Sequence, residues 1–207
     1  MGPDPADHWQ RMYETRSATD VSWYQPVPER SLELIQATGV PREAPILDVG
    51  GGASRLVDHL LAAGYTDVSV LDLAPAALGQ ARARLGPLAE RVTWIVADIT
   101  TFAAGRRYTL WHDRAVLHFL LRTEEQGRYL TALRRGLTQR GHVVLATFGP
   151  RGPERCSGLP VRRYSVEALK ALLGPGFQLR RGEVEQHRTP AGGTQEFLYT
   201  WWCGKRQ

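Results

Sequence analysis

The chain has 207 residues, 43% of them hydrophobic and 23% charged, and its 26 basic and 21 acidic side chains leave a net charge of +5. This length and composition fit one globular domain with a substantial core and exclude an intrinsically disordered chain. No apolar run reaches the roughly 18 to 20 residues that a membrane-spanning helix needs, so we expect no membrane partner.

The termini and cysteines point to the cytoplasm. The first twenty residues carry Asp4, Asp7 and His8 and show no apolar core of a secretory signal. The two cysteines, Cys156 and Cys203, are too few for a disulfide framework or a four-ligand zinc site, so we expect reduced thiols and no metal. Cys203 lies in an apolar run and is expected in the core, whereas Cys156 lies in a Gly/Pro-rich loop and is a candidate reactive thiol.

The positive charge comes almost entirely from arginine, because lysine occurs only at Lys170 and Lys205. Basic residues alternate with acidic ones along most of the chain. A nucleic-acid partner calls for a clustered basic surface. We therefore do not expect nucleic acid as a partner.

Strand and helix patterns alternate from about residue 45 onward, which is typical of an α/β domain with a mainly parallel sheet. Pro75 begins one helix, Thr123 with Gln126 predicts a capping box for another, and Ser165 caps the last. Two late apolar segments suit a terminal antiparallel pair. Strands are predicted over residues 46–49, 68–73, 92–97, 108–111 and 142–147, with the pair near 177–181 and 196–203.

The most informative segment joins the first strand to the next helix and reads Asp48-Val49-Gly50-Gly51-Gly52-Ala53-Ser54. Glycines in such a turn let a ligand approach the backbone without interference from Cβ atoms. The dinucleotide fingerprint G-x-G-x-x-G fails, because Arg55 occupies its third glycine position. The pattern that remains is D-x-G-x-G.

This segment resembles the first motif of class I S-adenosylmethionine-dependent methyltransferases, in which an acid precedes G-x-G-x-G; here Ser54 replaces the third glycine. An acid at the strand end suits the cationic ammonium and sulfonium groups of that donor better than a pyrophosphate. The resemblance implies S-adenosylmethionine as cofactor and S-adenosylhomocysteine as product. The turn residues that it implies for binding are Asp48, Gly50, Gly51 and Gly52.

Two further acids stand at the ends of the next two predicted strands. The resemblance implies that Asp72 accepts hydrogen bonds from the ribose hydroxyls and that Asp98 binds the adenine amino group. It also implies that the Ile99 N–H contacts the adenine ring and that Leu73 packs on its face. Acids at three successive strand ends predict one ligand crevice at the carboxyl edge of the sheet.

The fourth strand end, which in this family faces the transferring methyl group, reads Trp111-His112-Asp113-Arg114-Ala115-Val116-Leu117-His118. Its Asp113-Arg114-Ala115 triplet resembles thiopurine-type methyltransferases, and the N-P-P-Y signature of amide-methylating enzymes is missing. His118 is the candidate for acceptor contact or proton removal, because histidine titrates in the useful range. The alternative is a helix-face histidine satisfied by a backbone carbonyl. Asp113 is either structural or a contact to the methionine end of the donor.

Two segments outside the core are candidates for enclosing the site. The N-terminal segment is rich in aromatic residues, and Trp23 and Tyr24 are expected to cover the sulfonium by cation–π contact and to exclude water. Packing of these rings against the sheet edge is the alternative. The loop after strand five either binds an acidic acceptor or is a solvated turn; its arginines are Arg151, Arg155, Arg162 and Arg163.

These observations predict a doubly wound α/β domain over residues 1–207, with a mainly parallel seven-stranded sheet, a terminal antiparallel pair and an N-terminal helical lid. Residues 1–44 are expected to form the lid, 45–148 the donor-binding core, and 149–207 the substrate loop and terminal strands. We expect in-line methyl transfer to a small-molecule acceptor. A protein-lysine methyltransferase and a non-catalytic donor-binding module are the alternatives.

Overall fold

The computed structural model describes residues 4–205. Its strands are β1 (Ile46–Val49), β2 (Val68–Asp72), β3 (Val92–Val96), β4 (Tyr108–Arg114), β5 (Leu137–Phe148), β6 (Arg155–Cys156), β7 (Leu159–Pro160), β8 (Phe177–Arg188) and β9 (Thr194–Gly204). Its α-helices are α1 (Pro5–Thr15), α2 (Glu29–Ala37), α3 (Leu56–Ala62), α4 (Pro75–Leu85), α5 (Thr123–Gly136) and α6 (Val166–Leu173). Short 3₁₀ turns cover Gly86–Arg91 and Leu117–Phe119.

Seven strands form one sheet in the order β3-β2-β1-β4-β5-β9-β8, and β6 pairs with β7 in a separate hairpin. Strands β1 to β5 are parallel, whereas β9 runs antiparallel to both β5 and β8. The predicted fold class, with its terminal antiparallel pair, is confirmed. The strand order reverses between β1 and β4, and such a switch point opens a crevice at the carboxyl ends of the strands.

Helices cover both faces of the sheet, so its central strands are buried on both sides. Ile46 and Leu47, which point to opposite faces of β1, are both fully buried. One layer packs Leu34, Ile35 and the α3 leucines against the sheet; the other packs α5 and α6 on its opposite face. The predicted starts of α4 at Pro75 and of α6 at Ser165, whose hydroxyl accepts from the Ala168 N–H at 3.2 Å, are confirmed.

Several local predictions are wrong. Strand β5 begins at Leu137 instead of residue 142, and β8 continues to Arg188 instead of ending near residue 181. Strand β4 continues to Arg114 instead of stopping at Trp111, because its polar residues His112 and Asp113 find buried hydrogen-bond partners. The capping box of α5 uses Glu125, whose carboxylate accepts from the Arg122 N–H at 3.0 Å. The predicted partner Gln126 is buried instead.

Helix α1 lies against α4. The side-chain oxygen of Gln10 accepts from the Ala76 N–H at 3.0 Å, and the Gln80 amide donates to the Tyr13 carbonyl at 2.6 Å. These contacts set α1 beside the carboxyl edge of the sheet.

Between residues 4 and 205, no helix has the length and apolar character to cross a membrane, and no three acidic, histidine or cysteine side chains converge as a metal site.

Candidate active site

A cavity of about 460 Å³ lies at the carboxyl edge of the parallel strands, where the strand order reverses. The turn after β1 and the ends of β2, β3 and β4 form its floor, and α1 with the chain that follows it forms its roof. Most residues predicted for the donor site meet in its walls: Asp48, Gly50, Gly51, Asp72, Leu73, Asp98, Ile99, Trp23 and Tyr24. Gly52, Asp113 and His118 are not among its lining residues.

The glycine turn has no room for side chains. Gly50 has φ +66°, which glycine adopts readily, and a Cβ there would collide with Val116 Cγ2. A Cβ on Gly51 would approach the Asp48 carboxylate and come within 2.7 Å of Val70 Cγ1. A Cβ on Gly52 would stand 2.6 Å from Asp72 Oδ2, so this glycine packs against the donor-site acid without lining the cavity.

His112 was not predicted as part of the site. It pairs with Asp48 across neighbouring strands, with its Nδ1 2.7 Å from Asp48 Oδ1 and its Nε2 2.9 Å from Ser31 Oγ. All three side chains are buried. A polar pair in register on two buried parallel strands is the signal that would have revealed this contact, but the register is a tertiary property.

Asp72 is almost completely buried at the end of β2. Burial, together with the charge of Asp48, raises the pKa of its carboxyl to about 7, although its bond from the Ala74 N–H at 2.8 Å favours the ionised form. Asp98, by contrast, is exposed at the rim, where it accepts from the Thr100 N–H at 2.7 Å. The two acids therefore differ in exposure, one buried at the end of β2 and the other at the rim of the cavity.

Asp113, one of the residues predicted to bind the donor, does not line the cavity, and this corrects the predicted site. Its carboxylate is fully buried and accepts from the Tyr129 hydroxyl at 2.7 Å and from the Val116 and Leu117 N–H groups at 2.9 and 3.2 Å. Burial raises the pKa of this carboxyl to about 6. The side chain fixes the turn after β4 and does not face the cavity.

His118 is placed differently from its predicted role. It is fully buried, its Nδ1 accepts from the Phe148 N–H at 3.2 Å, and its ring centroid lies 4.6 and 4.7 Å from those of Phe119 and Phe148. Burial, with the nearby charge of Arg114, lowers the pKa of this imidazole to about 3. This placement does not support acceptor contact or proton removal, and it fits the alternative of a structural histidine, with a backbone N–H as its partner.

The roof over the cavity is a segment that we call the covering segment, residues 16–28. Trp23 and Tyr24 line the cavity from it, and Trp23 packs edge-on against Trp9 with 5.7 Å between ring centroids. Four of its backbone carbonyls accept hydrogen bonds from the body of the domain. The pairs are Arg16 with Gln80 (3.2 Å), Ser22 with His187 (2.8 Å), Trp23 with Arg114 (2.9 Å) and Pro26 with His59 (3.0 Å).

The arginines of the loop after β5 are largely engaged elsewhere. Arg151 donates to Glu196 at 2.9 Å, and Arg163 lies 3.1 Å from Glu154. Cys156 does line the cavity, but burial raises the pKa of its thiol to about 11, so it remains protonated and weakly nucleophilic. Cys203 is buried in the core, as predicted.

Residues 46–141 match the family model described as "Methyltransferase domain". This range runs from β1 into β5 and contains the glycine turn and the acids at the ends of β2 and β3. The match covers 96 of the 207 residues, and a methyltransferase domain, as the sequence predicted, is thus confirmed over this region.

Solved structures share the fold of this chain over nearly its whole length. A methyltransferase from Anabaena variabilis is 16% identical, with 99% of this chain and 96% of that chain covered and a TM-score of 0.79. The 1,6-didemethyltoxoflavin-N1-methyltransferase of Burkholderia thailandensis, solved with 1,6-didemethyltoxoflavin and S-adenosylhomocysteine, is 21% identical over 97% of this chain and 84% of that chain, with a TM-score of 0.69.

A mouse protein named eEF1A lysine and N-terminal methyltransferase is 26% identical over 180 residues. The match covers 86% of this chain but 25% of the mouse protein, so the chain spans about a quarter of that relative's length.

Proposed function

We propose that this methyltransferase moves the methyl group of S-adenosylmethionine to a small-molecule acceptor enclosed beside it. The observation that carries the proposal is that one cavity combines two chemically different sets of lining residues. The first set, which we call the donor side, consists of the glycine turn and the strand-end acids, and the second is a cluster of aromatic rings formed by Trp9, Trp23 and Phe119.

The donor side fits S-adenosylmethionine in shape and chemistry. The turn at Gly50 and Gly51 brings bare backbone to the cavity, in a conformation that the neighbouring side chains would not allow if either residue carried a Cβ. Asp72, once ionised, can accept from two ribose hydroxyls, and Asp98 stands at the rim where it can accept from the adenine amino group. We propose that Leu73 and Ile99 hold the adenine ring and that Trp23 and Tyr24 cover the sulfonium.

When bound, the donor supplies a methyl group made electrophilic by its sulfonium. The chain's own residues then contribute alignment and exclusion of water, which account for most of the acceleration of a reaction that is intrinsically favourable. The covering segment, with Trp9 and Phe119, holds the acceptor against the end of β4. We infer no side-chain base. His118 is neutral and outside the cavity. His112 lines the cavity, but both of its ring nitrogens are engaged, Nδ1 with Asp48 and Nε2 with Ser31.

The enclosure supports a small acceptor. The cavity of about 460 Å³ is bounded by the covering segment and by Cys156, Leu159 and Pro160 of the β6–β7 hairpin, and a volume of this size suits a compact ligand. The Burkholderia neighbour is named for a small heterocycle, whereas the name of the mouse relative indicates a protein acceptor. We retain the protein acceptor as the second candidate, because that relative matches most of this chain.

The test is transfer from tritiated S-adenosylmethionine to a cell lysate, separated into small-molecule, protein and RNA fractions. We expect label in the small-molecule fraction with the wild-type protein and a strong loss of label with Asp72→Ala. Label confined to protein bands would overturn the small-molecule proposal. Binding of S-adenosylhomocysteine without transfer to any fraction would indicate a non-catalytic binding module.

We further propose a cytoplasmic location, supported by the absence of disulfides between the described cysteines, Cys156 and Cys203.

The division into a lid (1–44), a donor-binding core (45–148) and a substrate loop with terminal strands (149–207) is likewise a proposal. The covering segment and the β6–β7 hairpin support it, since both lie over the cavity.

A further inference from the structure

The guanidinium of Arg114 stands in the cavity wall at the end of β4 with part of its hydrogen-bonding capacity unused. Its Nε donates to the Tyr199 hydroxyl at 2.8 Å and its Nη1 donates to the Trp23 carbonyl at 2.9 Å. Its Nη2 is buried and has no hydrogen-bond partner within the described residues. A buried donor on a charged group is costly to leave unpaired, so an unfilled position here points to a ligand atom.

The charge of Arg114 is also unbalanced. Among the ion pairs of residues 4–205, with nitrogen and oxygen within 4.0 Å, none involves Arg114. Instead, its guanidinium lies over the Phe197 ring, 4.5 Å from the centroid. Its two hydrogen-bond partners are both neutral, one a hydroxyl and the other a carbonyl. An arginine in such surroundings is suited to a planar anion that can take its free N–H groups.

The backbone next to Arg114 has an unusual conformation. Ala115, the next residue, has φ +72°, a region that an alanine rarely adopts, and its N–H donates to the Ala146 carbonyl at 2.8 Å. Strain of this kind is kept where the surrounding structure determines a functional geometry. In the same cavity, the clustered aromatic rings of Trp9, Trp23 and Phe119 offer contact to the apolar body of a ligand.

We propose that the acceptor is a compact aromatic carboxylate whose anionic group binds Arg114 Nη2 while its ring packs against Trp9, Trp23 and Phe119. This assignment rests on the proposed function and specifies its substrate class. The rival partner for the same guanidinium is the carboxylate of the methionine end of the donor. The two partners are separable, because the donor product can be titrated alone.

The experiment is calorimetry on the full chain, first with S-adenosylhomocysteine and then, on the saturated protein, with two acid–amide pairs. The probes are benzoate against benzamide and indole-3-acetate against indole-3-acetamide. We expect at least one acid to bind about tenfold or more tightly than its amide, the factor for one charge-assisted hydrogen bond. Arg114→Gln should abolish that preference. Arg114→Lys should keep part of it, because lysine retains the positive charge but lacks the planar guanidinium that can donate two hydrogen bonds to one carboxylate.

Arg128→Gln is the matched control, since Arg128 is an exposed arginine at the same cavity. It should leave the preference for acids unchanged. The proposal is overturned if S-adenosylhomocysteine binds but no acid exceeds its amide, or if Arg114→Gln keeps the preference. It is also overturned if Arg114→Gln weakens S-adenosylhomocysteine about tenfold while acid binding is unchanged, because the donor would then be the partner. Failure of S-adenosylhomocysteine to bind the wild-type protein would instead contradict the proposed function.

Discussion

His112 Nδ1 lies 2.7 Å from Asp48 Oδ1, and both side chains are about 3% exposed. The imidazole thus gives a hydrogen-bond partner to the Asp48 carboxylate, which is buried beneath the glycine turn. The other ring nitrogen of His112 contacts the Ser31 hydroxyl. A polar chain from α2 through β4 to β1 therefore supports the floor of the donor site.

Replacing His112 with Phe should lower the free energy of unfolding by about 2–4 kcal/mol, because it leaves the Asp48 carboxylate buried without its partner. Denaturant titration of the purified protein measures this change. The control Ser31→Ala removes only the outer hydroxyl and should cost about 1 kcal/mol. Equal losses for the two variants would show that the contact between His112 and Asp48 contributes little.

The pKa of Asp72, raised to about 7, makes donor binding depend on pH. Because ribose hydroxyls bond better to the ionised carboxylate, affinity for S-adenosylhomocysteine should rise about tenfold between about pH 6 and pH 8, with release of a proton on binding below the pKa. Calorimetry in buffers of different ionisation enthalpy measures both quantities. Asp72→Asn should bind weakly and without proton release, whereas Asp98→Ala should weaken binding by a similar factor at every pH.

The same carboxyl affects the stability of the ligand-free protein. Its folded pKa of about 7 lies above the ordinary value of 3.8 for an aspartate, so the folded state holds the proton more tightly. Ionisation of Asp72 should therefore reduce stability as pH rises from about 4 to about 7, with no further effect above that range. Asp72→Asn should remove this loss, which denaturant midpoints at several pH values would detect. A wild-type curve parallel to that of the variant would contradict the raised pKa.

Gly50→Ala should destabilise the turn after β1 and weaken donor binding, because its φ of +66° disfavours alanine and its Cβ would meet Val116. We expect a loss of about 2 kcal/mol or more in thermal or denaturant unfolding. Gly79→Ala, in helix α4 with open space around the new Cβ, is the matched control and should stabilise by up to about 1 kcal/mol. Adding Val116→Ala to Gly50→Ala should recover the part due to the clash. Wild-type stability of Gly50→Ala would contradict this account.

His118→Ala should act on stability and leave chemistry largely unchanged. Loss of a fully buried ring leaves a cavity and an unpaired Phe148 N–H, so we expect roughly 2–4 kcal/mol of destabilisation. His118→Asn offers an oxygen near the position of Nδ1 and should recover part of the lost stability. Turnover at saturating donor and acceptor should stay within about threefold of wild type. A fall of about 100-fold in kcat with unchanged stability would instead restore the histidine as a base.

The sequence predicted the donor side of the cavity better than the acceptor side. Asp48, Asp72 and Asp98 follow short apolar strands, and parallel strands bring their ends to one edge, so local patterns determined their meeting. For Asp113 and His118 the sequence left a site role and a structural role both open, because the side to which a polar residue in and after β4 points depends on tertiary packing. Arg114 and His112 were missed for a related reason, since their partners Trp23, Tyr199 and Ser31 are remote in the chain.

The carbonyls of the covering segment are held by Gln80, His187, Arg114 and His59, side chains of four separate elements or turns of the domain. The wall of the cavity is consequently ordered as part of folding. A ligand then gains its contacts without the entropic cost of organising a loop, which favours long residence times for compact molecules. The same rigidity works against bulky ligands, because admitting them would require several of these bonds to break together. Selectivity for size can thus be built into the backbone of a segment whose sequence shows no binding motif.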